Sequence, residues 1–545
     1  MLMMRTQDIT DATASLLGAI ERGNDGLKEL HEALHASNTI AEIDPLIALP
    51  VLLPYPGDAA ESLLDDIAEN CSAKELVIAI QEAAERLKGS IVNMSQEEDA
   101  YEDDNDNGDE LTPSQRTARI LRSYAKTIPR LKKGKRSTKD VLSSLVTEVE
   151  SLIPFLGQNA DADDGRELVL AVSLLVCAVE PWIRADSNEK DAANVLYNLT
   201  KSTLESCISS INSDVVQKAF QKQFPRFVRP VLDEPASSQI PNDPAADTYA
   251  SLSQLGFSAC DFENDPSMGS LILLAHAPSY TPSLSTLRSF MPVIIASIQT
   301  YTALEETLVI LLNALGPLRS LSPRLDLSEA LVTPLIHVLP PLAGVHPDPS
   351  IRHIIFRLLS LILSYTPSPL RFQLLQDLIT DPDVTPQMRV AAIGLVKEAV
   401  LENLSASKSS LGGEQLETAF TSPNFMQMFS PIIFKLDLPQ ADGQEDLDLQ
   451  EFLESPEPLR LVEGLGLYYV VLQRDVDNRT GIRDPDSMRV IDKELLTVLR
   501  QQLTKWNEDL NETPDTAELL ANHNALQLGI LEMWLDRIQS ATAAL

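Results

Sequence analysis

The segment His31-Glu32-Ala-Leu-His35 contains the residues of this chain best suited by type and spacing to bind a metal. Histidines four positions apart lie on one face of a helix, where both can bind a zinc ion while the glutamate polarises a water. A zinc hydrolase also needs a third ligand and a substrate-binding strand, and the neighbouring sequence predicts neither. Because Leu30 and Leu34 place His31 beside an apolar stripe, we favour an ordinary amphipathic helix and expect no metal and no catalytic residue.

Other motifs for catalysis or cofactor binding are absent from the sequence. It contains no phosphate-binding G-x-x-x-x-G-K-S/T loop and no G-x-S-x-G nucleophile turn. Gly464-Leu-Gly466 lacks the third glycine and the preceding strand of a dinucleotide-binding turn. We interpret these glycines as positions of close helix packing. The sequence therefore predicts a non-enzymatic protein without a cofactor.

The four cysteines lie far apart in the chain and form no CxxC pair. This pattern is typical of a reducing compartment and not of a disulfide framework. We interpret Cys177, which lies in an apolar run, as a core residue, and Cys71 and Cys260, which have polar neighbours, as accessible thiols. The N-terminal residues contain no apolar signal core, so we expect the protein in the cytoplasm, with the nucleus as a second compartment.

The net charge of the chain limits the classes of partner that it can bind. The 545 residues include 43 Lys+Arg and 79 Asp+Glu, for a formal net charge of −36. Such an acidic chain is unsuited to direct binding of nucleic acid, which requires clustered basic residues, and it is repelled by anionic membranes. We expect a monomer that binds a protein partner, and a basic partner would be attracted to this surface.

The elements that position these residues are predicted to be helices. Apolar residues recur at helical spacing through most of the chain, and alternating strand patterns are scarce. Pro349-Ser-Ile-Arg352 and Pro386-Gln-Met-Arg389 share a Pro-x-apolar-Arg opening, and their arginines lie 37 residues apart. An interval near 40 residues is typical of HEAT arrays. We predict an all-α, HEAT/armadillo-like α-solenoid of stacked helix pairs, with acidic and basic disordered loops.

Two details of this prediction concern the C-terminal half. The candidate helix from Leu331 to Leu339 ends just before a proline. Near the C-terminus, one helix is predicted to be buried through five apolar residues: Leu526, Ile530, Met533, Trp534 and Leu535.

Composition divides the chain into five predicted segments. Glu97–Glu110 contains nine acids and no base, and Arg116–Lys139 contains ten Lys/Arg and no acid. Pro235–Asp247 is rich in Pro, Ser and Asp. The predicted segments are N-terminal helical repeats (1–91), an acidic and then basic loop/helix insertion (92–138), middle helical repeats (139–233), a linker (234–248) and a C-terminal HEAT-like domain (249–545).

The basic run from Arg130 to Arg136 has three interpretations: a nuclear-import signal, a docking patch for an acidic partner, or a solvated loop that pairs with the acidic run Glu97–Glu110. Its candidate partner-binding residues are Arg130, Lys132, Lys133, Lys135 and Arg136.

Three stretches carry a resemblance to a known family. They are Met388–Lys397, Asp448–Glu457 and Glu463–Asp475, the last followed by Asn478–Asp484. From Leu284 to Leu510 the chain resembles the fungal branch of the Yap-binding/Alf/glomulin family. None of the stretches is a catalytic motif.

The resemblance implies a HEAT-like adaptor without enzymatic activity. Fungal members bind a bZIP transcription factor of the oxidative-stress response and support its activation, and one relative is associated with kinetochores. Glomulin instead binds the RING subunit of cullin-RING ubiquitin ligases. At the polar end of the third stretch, an ion-pair network and a partner surface are both consistent with the charged residues, and we favour the network. These candidates are Arg474, Asp475, Arg479, Arg483 and Asp484.

Overall fold

Helices make up the regular secondary structure of the residues that the structure, a computed structural model, describes. Those residues are 14–37, 39–97, 110–132, 137–185, 189–211, 214–225, 243–320, 325–409, 418–436, 449–512 and 518–545. No strand is present in these ranges, so the all-α prediction is confirmed. The chain divides into two units, Met1–Ala314 and Leu315–Leu545.

The N-terminal unit begins with a helical stretch over residues 14–21 and continues with fourteen longer or shorter α-helices in its described part. These are α1 (Asn24–Ser37), α2 (Pro45–Leu52), α3 (Asp58–Asn70), α4 (Ala73–Glu97), α5 (Pro113–Thr127), α6 (Thr138–Asn159), α7 (Ala162–Arg184), α8 (Glu189–Ser206), α9 (Val215–Gln223), α10 (Pro244–Gln254), α11 (Ala259–Glu263), α12 (Met268–His276), α13 (Leu284–Thr300) and α14 (Leu304–Leu315), whose last residue begins the second unit.

The C-terminal unit continues with α15 (Glu329–Val345), α16 (Pro349–Ser364), α17 (Ser368–Thr380), α18 (Pro386–Ser409), α19 (Asn424–Ile433), α20 (Leu449–Glu454), α21 (Glu457–Arg474), α22 (Pro485–Ile491), a π-helical turn (Asp492–Leu496), α23 (Thr497–Glu512) and α24 (Glu518–Ala543). Short 3-10 turns lie at Ile40–Glu42, Ile128–Arg130, Ile208–Ser210, Gly316–Ser320 and Ala419–Thr421.

Proline and a capping side chain set the start of several helices. Asp348 accepts a hydrogen bond from Ser350 N (2.7 Å), and Pro349 opens α16, as the repeat pattern predicts. Pro386 likewise opens α18. A proline costs no intrahelical hydrogen bond in the first turn, and the aspartate satisfies a free backbone donor.

In the N-terminal unit, helices pack extensively on the helix two positions along the chain. One series is α1 on α3, α3 on α5 and α5 on α7, and a second is α2 on α4, α4 on α6 and α6 on α8. Stacked helix pairs generate this pattern, because equivalent helices of successive pairs face each other. Each amphipathic helix thereby buries its apolar stripe against its neighbours.

In the C-terminal unit, neighbouring helices form pairs that also stack. The pairs α15–α16 and α17–α18 pack together, and α18 packs on α21, which packs on α24. This arrangement of neighbouring pairs is the one predicted for an α-solenoid.

Several predicted boundaries differ from the observed ones. Helix α15 continues through Pro340 and Pro341 to Val345, because apolar contacts on Leu339 and Leu342 hold the turn in place. Within the predicted insertion 92–138, α5 is a core helix with a buried Tyr124. Helix α10 begins at Pro244, inside the predicted linker.

Candidate functional site

The two histidines of the HExxH segment meet an aspartate of the adjacent helix. His31 and His35 lie on α1, and Asp66 lies on α3. Oδ2 of Asp66 is 2.5 Å from Nε2 of His31 and 2.7 Å from Nε2 of His35. The two imidazole rings meet edge-on with centroids 4.8 Å apart. Glu32 is exposed. Among the described residues, one group of three offers possible metal-ligand atoms within 4.8 Å of one another, and it consists of His31, His35 and Asp66.

Arg130 of the basic run is held by the C-terminal end of α3. Its guanidinium donates hydrogen bonds to the carbonyl oxygens of Ala68 and Cys71, the latter at 2.5 Å. These carbonyl oxygens have no hydrogen-bond donor within the helix, so the arginine supplies one. Its positive charge also interacts favourably with the negative end of the helix dipole. Lys132 is exposed. Lys133, Lys135 and Arg136 lie outside the described residues, and the docking role of the run stays a prediction.

Other basic residues of α5 bind carboxylates of the helices on either side. Arg122 contacts one acid of α3 and one of α7, and Lys126 contacts two acids of α3. The pairs are Arg122 with Glu61 (2.5 Å) and Glu167 (3.0 Å), and Lys126 with Asp65 (3.0 Å) and Glu69 (2.9 Å). Arg122, Lys126 and Arg130 of the basic segment Arg116–Lys139 are therefore engaged by other residues of the N-terminal unit.

The cysteines are distributed differently from the prediction. Cys71 is 2% exposed, and burial raises the pKa of its thiol to about 11. Burial also raises the pKa of Cys207 to about 12. Cys177 is exposed, as is Cys260. The interpretation of Cys71 as accessible and of Cys177 as core is wrong, because the packing partners of each helix decide which face is covered.

His276 forms a buried charged group with two acids. Nδ1 of His276 lies 2.8 Å from Oδ2 of Asp243, and Nε2 lies 3.5 Å from Oε1 of Glu306. Asp243 also accepts hydrogen bonds from the first backbone amides of α10. Burial opposes protonation of His276, but the two carboxylates outweigh it and raise its pKa to about 9. This group joins the start of α10 to the end of α12.

In the C-terminal unit, α21 approaches a neighbouring helix closely at Gly464. A Cβ atom at Gly464 would lie 3.3 Å from Ile433, and one at Gly466 would lie 3.6 Å from Trp534. The absence of a side chain at Gly464 therefore lets α21 lie close to Ile433, whereas the distance at Gly466 is an ordinary van der Waals contact. Tyr468 is buried, and burial raises its pKa to about 12. Its neighbour Tyr469 packs against Trp534 with ring centroids 5.8 Å apart.

The charged turn after α21 is built around a buried carboxylate. Asp475 is 1% exposed and accepts hydrogen bonds from Arg479 N (2.9 Å), Thr480 N (2.8 Å) and Thr480 Oγ1 (2.6 Å). Arg483 donates to the carbonyl oxygen of Leu472 at 2.5 Å. Both side chains thus hold the turn against the end of the helix.

The remaining charged residues of this turn lie closer to the surface. Asp484 is exposed and accepts a hydrogen bond from Asn478 (2.6 Å). The side chain of Arg479 lies 3.9 Å from Asp477, and Arg474 is exposed. Binding of a partner by Arg474 and Asp484 stays a prediction.

A basic cleft of about 400 Å³ lies between α17, α18, α19 and α21. Arg389 of the repeat motif lines it, together with Lys435 and Arg460. Arg460 is engaged by Glu457 (2.6 Å) and by the carbonyl oxygens of Ile433 and Lys435. These contacts use its guanidinium to hold α21 against the end of α19.

The C-terminal helix α24 has two apolar faces. Leu528, Leu531, Leu535 and Ile538 are buried. Leu526, Ile530 and Met533, which are i, i+4 and i+7, are 65%, 38% and 39% exposed. The prediction that these three residues are buried is wrong, because α21 and α23 cover the other face. We call Leu526, Ile530 and Met533 the α24 stripe.

A groove of about 630 Å³ lies between α24 and α21, and Met533 is the residue of the α24 stripe that lines it. Met533, Tyr469 and Gly529 contribute apolar surface, and Glu532 and Asp536 contribute carboxylates. Arg537 also lines the groove, which therefore combines apolar surface with two carboxylates and one guanidinium. A helical segment with apolar residues and basic flanks would match it in shape and charge.

Residues 267–533 match a family model described as "Uncharacterised protein family, YAP/Alf4/glomulin". This region of the chain is similar to the YAP/Alf4/glomulin family, and we call residues 267–533 the YAP/Alf4/glomulin region. The predicted resemblance is thereby confirmed. No curated protein matched the chain.

The YAP/Alf4/glomulin region contains the glycines of α21, the turn at Asp475, the basic cleft and the α24 stripe. The cluster of His31, His35 and Asp66 lies outside it. Within the described residues, no helix is both long and apolar enough to cross a membrane.

Sequence reasoning missed two features of these sites. Asp66 is 31 residues beyond His35, and only the packing of α1 on α3 brings it near. A polar face on α3 is the available signal, but many acids share it. The second is the exposure of the α24 stripe, since both faces of that helix carry apolar residues and only their neighbours distinguish them.

Proposed function

We propose that this chain is a non-enzymatic adaptor whose YAP/Alf4/glomulin region binds a protein partner in the groove between α21 and α24. The observation that carries the proposal is the α24 stripe, whose side chains remain exposed while the apolar residues on the other face of the helix are buried. Exposed apolar residues at i, i+4 and i+7 beside a groove are typical of a surface that receives a helix. The matched family extends through Met533 of this stripe.

The partner that we favour is a bZIP transcription factor of the oxidative-stress response, as the family resemblance implies. A bZIP basic region is a helix rich in Lys and Arg. Glu532 and Asp536 at the groove, within a chain of net charge −36, would attract such a helix and speed its association. The adaptor would meet this partner in the cytoplasm and accompany it to the nucleus.

Affinity purification of the full-length protein followed by mass spectrometry, with and without peroxide, tests this function. We expect a bZIP factor to be recovered with the wild-type chain and lost with the double variant I530D/M533D. Val345 is 64% exposed in the same unit but away from α24, so V345D is the matched control and should retain the partner. Equal recovery with I530D/M533D and V345D would reject the groove as the binding site.

A second candidate function is inhibition of a cullin-RING ubiquitin ligase, because the family also takes its description from glomulin. In that case the same purification would recover a RING subunit instead of a bZIP factor. A ubiquitin-chain assay with the recovered ligase would then show inhibition by the wild-type chain. Recovery of neither class would leave a helical adaptor with a different partner.

Association kinetics test the electrostatic part of the proposal. Attraction between the acidic surface and a basic helix is screened by salt, so the association rate should fall steeply between low and physiological ionic strength. Surface plasmon resonance with the recovered partner measures this rate. A salt-independent association rate would contradict the role of the acidic residues.

A further inference from the structure

We propose that His31, His35 and Asp66 form a binding site for a divalent first-row transition metal, with Zn²⁺ as the ion that suits it best. The site would join α1 to α3 in the N-terminal unit. It lies outside the YAP/Alf4/glomulin region and is independent of the adaptor function proposed above.

The possible ligand atoms of this site converge from two helices. Nε2 of His31 and Nε2 of His35 lie 2.5 Å and 2.7 Å from the same carboxylate oxygen of Asp66. Around a tetrahedral zinc with bonds of 2.0–2.2 Å, ligand atoms are about 3.3 Å apart. Small rotations of the three side chains would therefore open the cluster enough to admit the ion.

Buried apolar contacts hold the backbone beneath the cluster. Leu30 and Leu34 of α1 are buried, as are Leu63 and Ile67 of α3. These contacts fix the two helices against each other and hold the ligand side chains near their binding positions. Metal sites on packed helices need little rearrangement, so less of the binding free energy is lost to ordering.

The donor set selects the class of metal. Two imidazole nitrogens and one carboxylate oxygen suit Zn²⁺ and its neighbours in the first transition row, whereas Mg²⁺ and Ca²⁺ prefer oxygen ligands alone. His35 is exposed, while His31 and Asp66 are half-buried. The site is therefore open to solvent on one side, which provides an entry path and a place for water as a further ligand.

Glu32 distinguishes this site from the one that the HExxH pattern predicts. In a zinc hydrolase the glutamate of that pattern activates a metal-bound water. Here the carboxylate that meets both histidines is Asp66, and Glu32 is exposed. The inferred role is to link two helices, and the site requires no catalytic step.

The experiment uses the untagged full-length protein after removal of metal with a chelator. Isothermal titration with Zn²⁺ should show one equivalent bound, and H35A and D66N should each weaken the affinity by about 100-fold or more, since even partners of metal ligands cost about 10–100-fold. His35 is largely exposed, so H35A leaves the packing of α1 intact. Zinc should also raise the thermal midpoint of the wild type but not of H35A.

Two control variants decide between sites. E32A should bind zinc like the wild type, and so should H337A, which removes an exposed histidine of α15. Absence of binding by the wild type, or unchanged affinity in both H35A and D66N, would overturn the proposal. A loss of affinity in E32A equal to that in H35A would also overturn it, because Glu32 would then be a ligand in place of Asp66.

Discussion

In the N-terminal unit, basic side chains of α5 bind acids of α3 and α7, whereas in the C-terminal unit α24 leaves a row of apolar side chains exposed. Arg122 and Lys126 each contact two carboxylates. Ile530 and Met533 are each more than a third exposed. These charges thus link helices of the first unit, and α24 retains apolar surface that the described helices of the second unit do not cover.

The difference separates side chains that hold the fold from side chains that are available to a partner. Charged residues at helix interfaces are largely satisfied internally, so a high charge alone does not identify a binding surface. An apolar stripe beside a groove has no such internal partner and is the more informative feature. The same distinction applies within the second unit, where the buried Asp475 differs from the exposed α24 stripe.

The largest effect is expected at Asp475, the charged residue of the C-terminal unit with the clearest internal role. D475A removes the acceptor of three hydrogen bonds and leaves buried donors at Thr480 without it. We expect a loss of about 3 kcal/mol in unfolding free energy. Hydrogen–deuterium exchange of peptides around the turn measures the local loss. D477A removes a carboxylate that is 65% exposed and should have little effect; equal effects would contradict the internal role of Asp475.

His276 should make the stability of the N-terminal unit depend on pH. Its pKa is about 9 in the folded chain, against an ordinary value of 6.5. Its stabilisation is therefore complete below about pH 6.5 and is lost as the pH rises through 9. The loss should be on the order of 3 kcal/mol. Exchange rates of the α10 and α12 amides, corrected for the intrinsic base-catalysed rise of amide exchange with pH, should increase accordingly from pH 6 to pH 10. H276Q should abolish this dependence, and an unchanged pH profile would refute the assignment.

The α24 stripe should affect binding and not folding. We expect I530D/M533D to lower the affinity for the partner about 10- to 100-fold, because it removes apolar side chains of the binding surface. The unfolding free energy should change by less than about 1 kcal/mol. Calorimetry and urea titration measure the two quantities. L528D, on the buried face, should instead destabilise the unit. If the double variant unfolds as readily as L528D, the stripe is part of the core.

The smallest effect is expected for the ion pairs of α5. Lys126 is 31% exposed, and its partners Asp65 and Glu69 are 42% and 57% exposed. Half-exposed pairs contribute little, so K126M should cost at most about 1 kcal/mol, and less in high salt. Urea titration at two salt concentrations measures this. A larger, salt-independent loss would mean that the ion pairs of Lys126 contribute more to the stability of the N-terminal unit than exposed pairs usually do.

Much of the fold follows from local patterns in the sequence. The apolar period predicts helices, and Pro349 and Pro386 mark the starts of α16 and α18 because proline is suited to the first turn. The same pattern fails at Pro340, where α15 continues. Contacts of that helix with its neighbours outweigh the local preference for a break.

The candidate sites depend more on tertiary structure. His31 and His35 are visible as a pair in the sequence, since a spacing of four fixes their shared face on a helix. Asp66 joins them only because α1 packs on α3. In the same way, the glycines of α21 indicate close packing, but their neighbours Ile433 and Trp534 come from other helices.

The helical class, the acidic charge and the resemblance of residues 267–533 to the YAP/Alf4/glomulin family follow from the amino-acid sequence alone, because they depend on periodicity, composition and motif. Only the tertiary structure decided which apolar face of α24 is covered, which cysteines are buried and which carboxylate meets the two histidines. Each of these depends on which helix lies opposite, and residues far apart in the chain set that choice through packing.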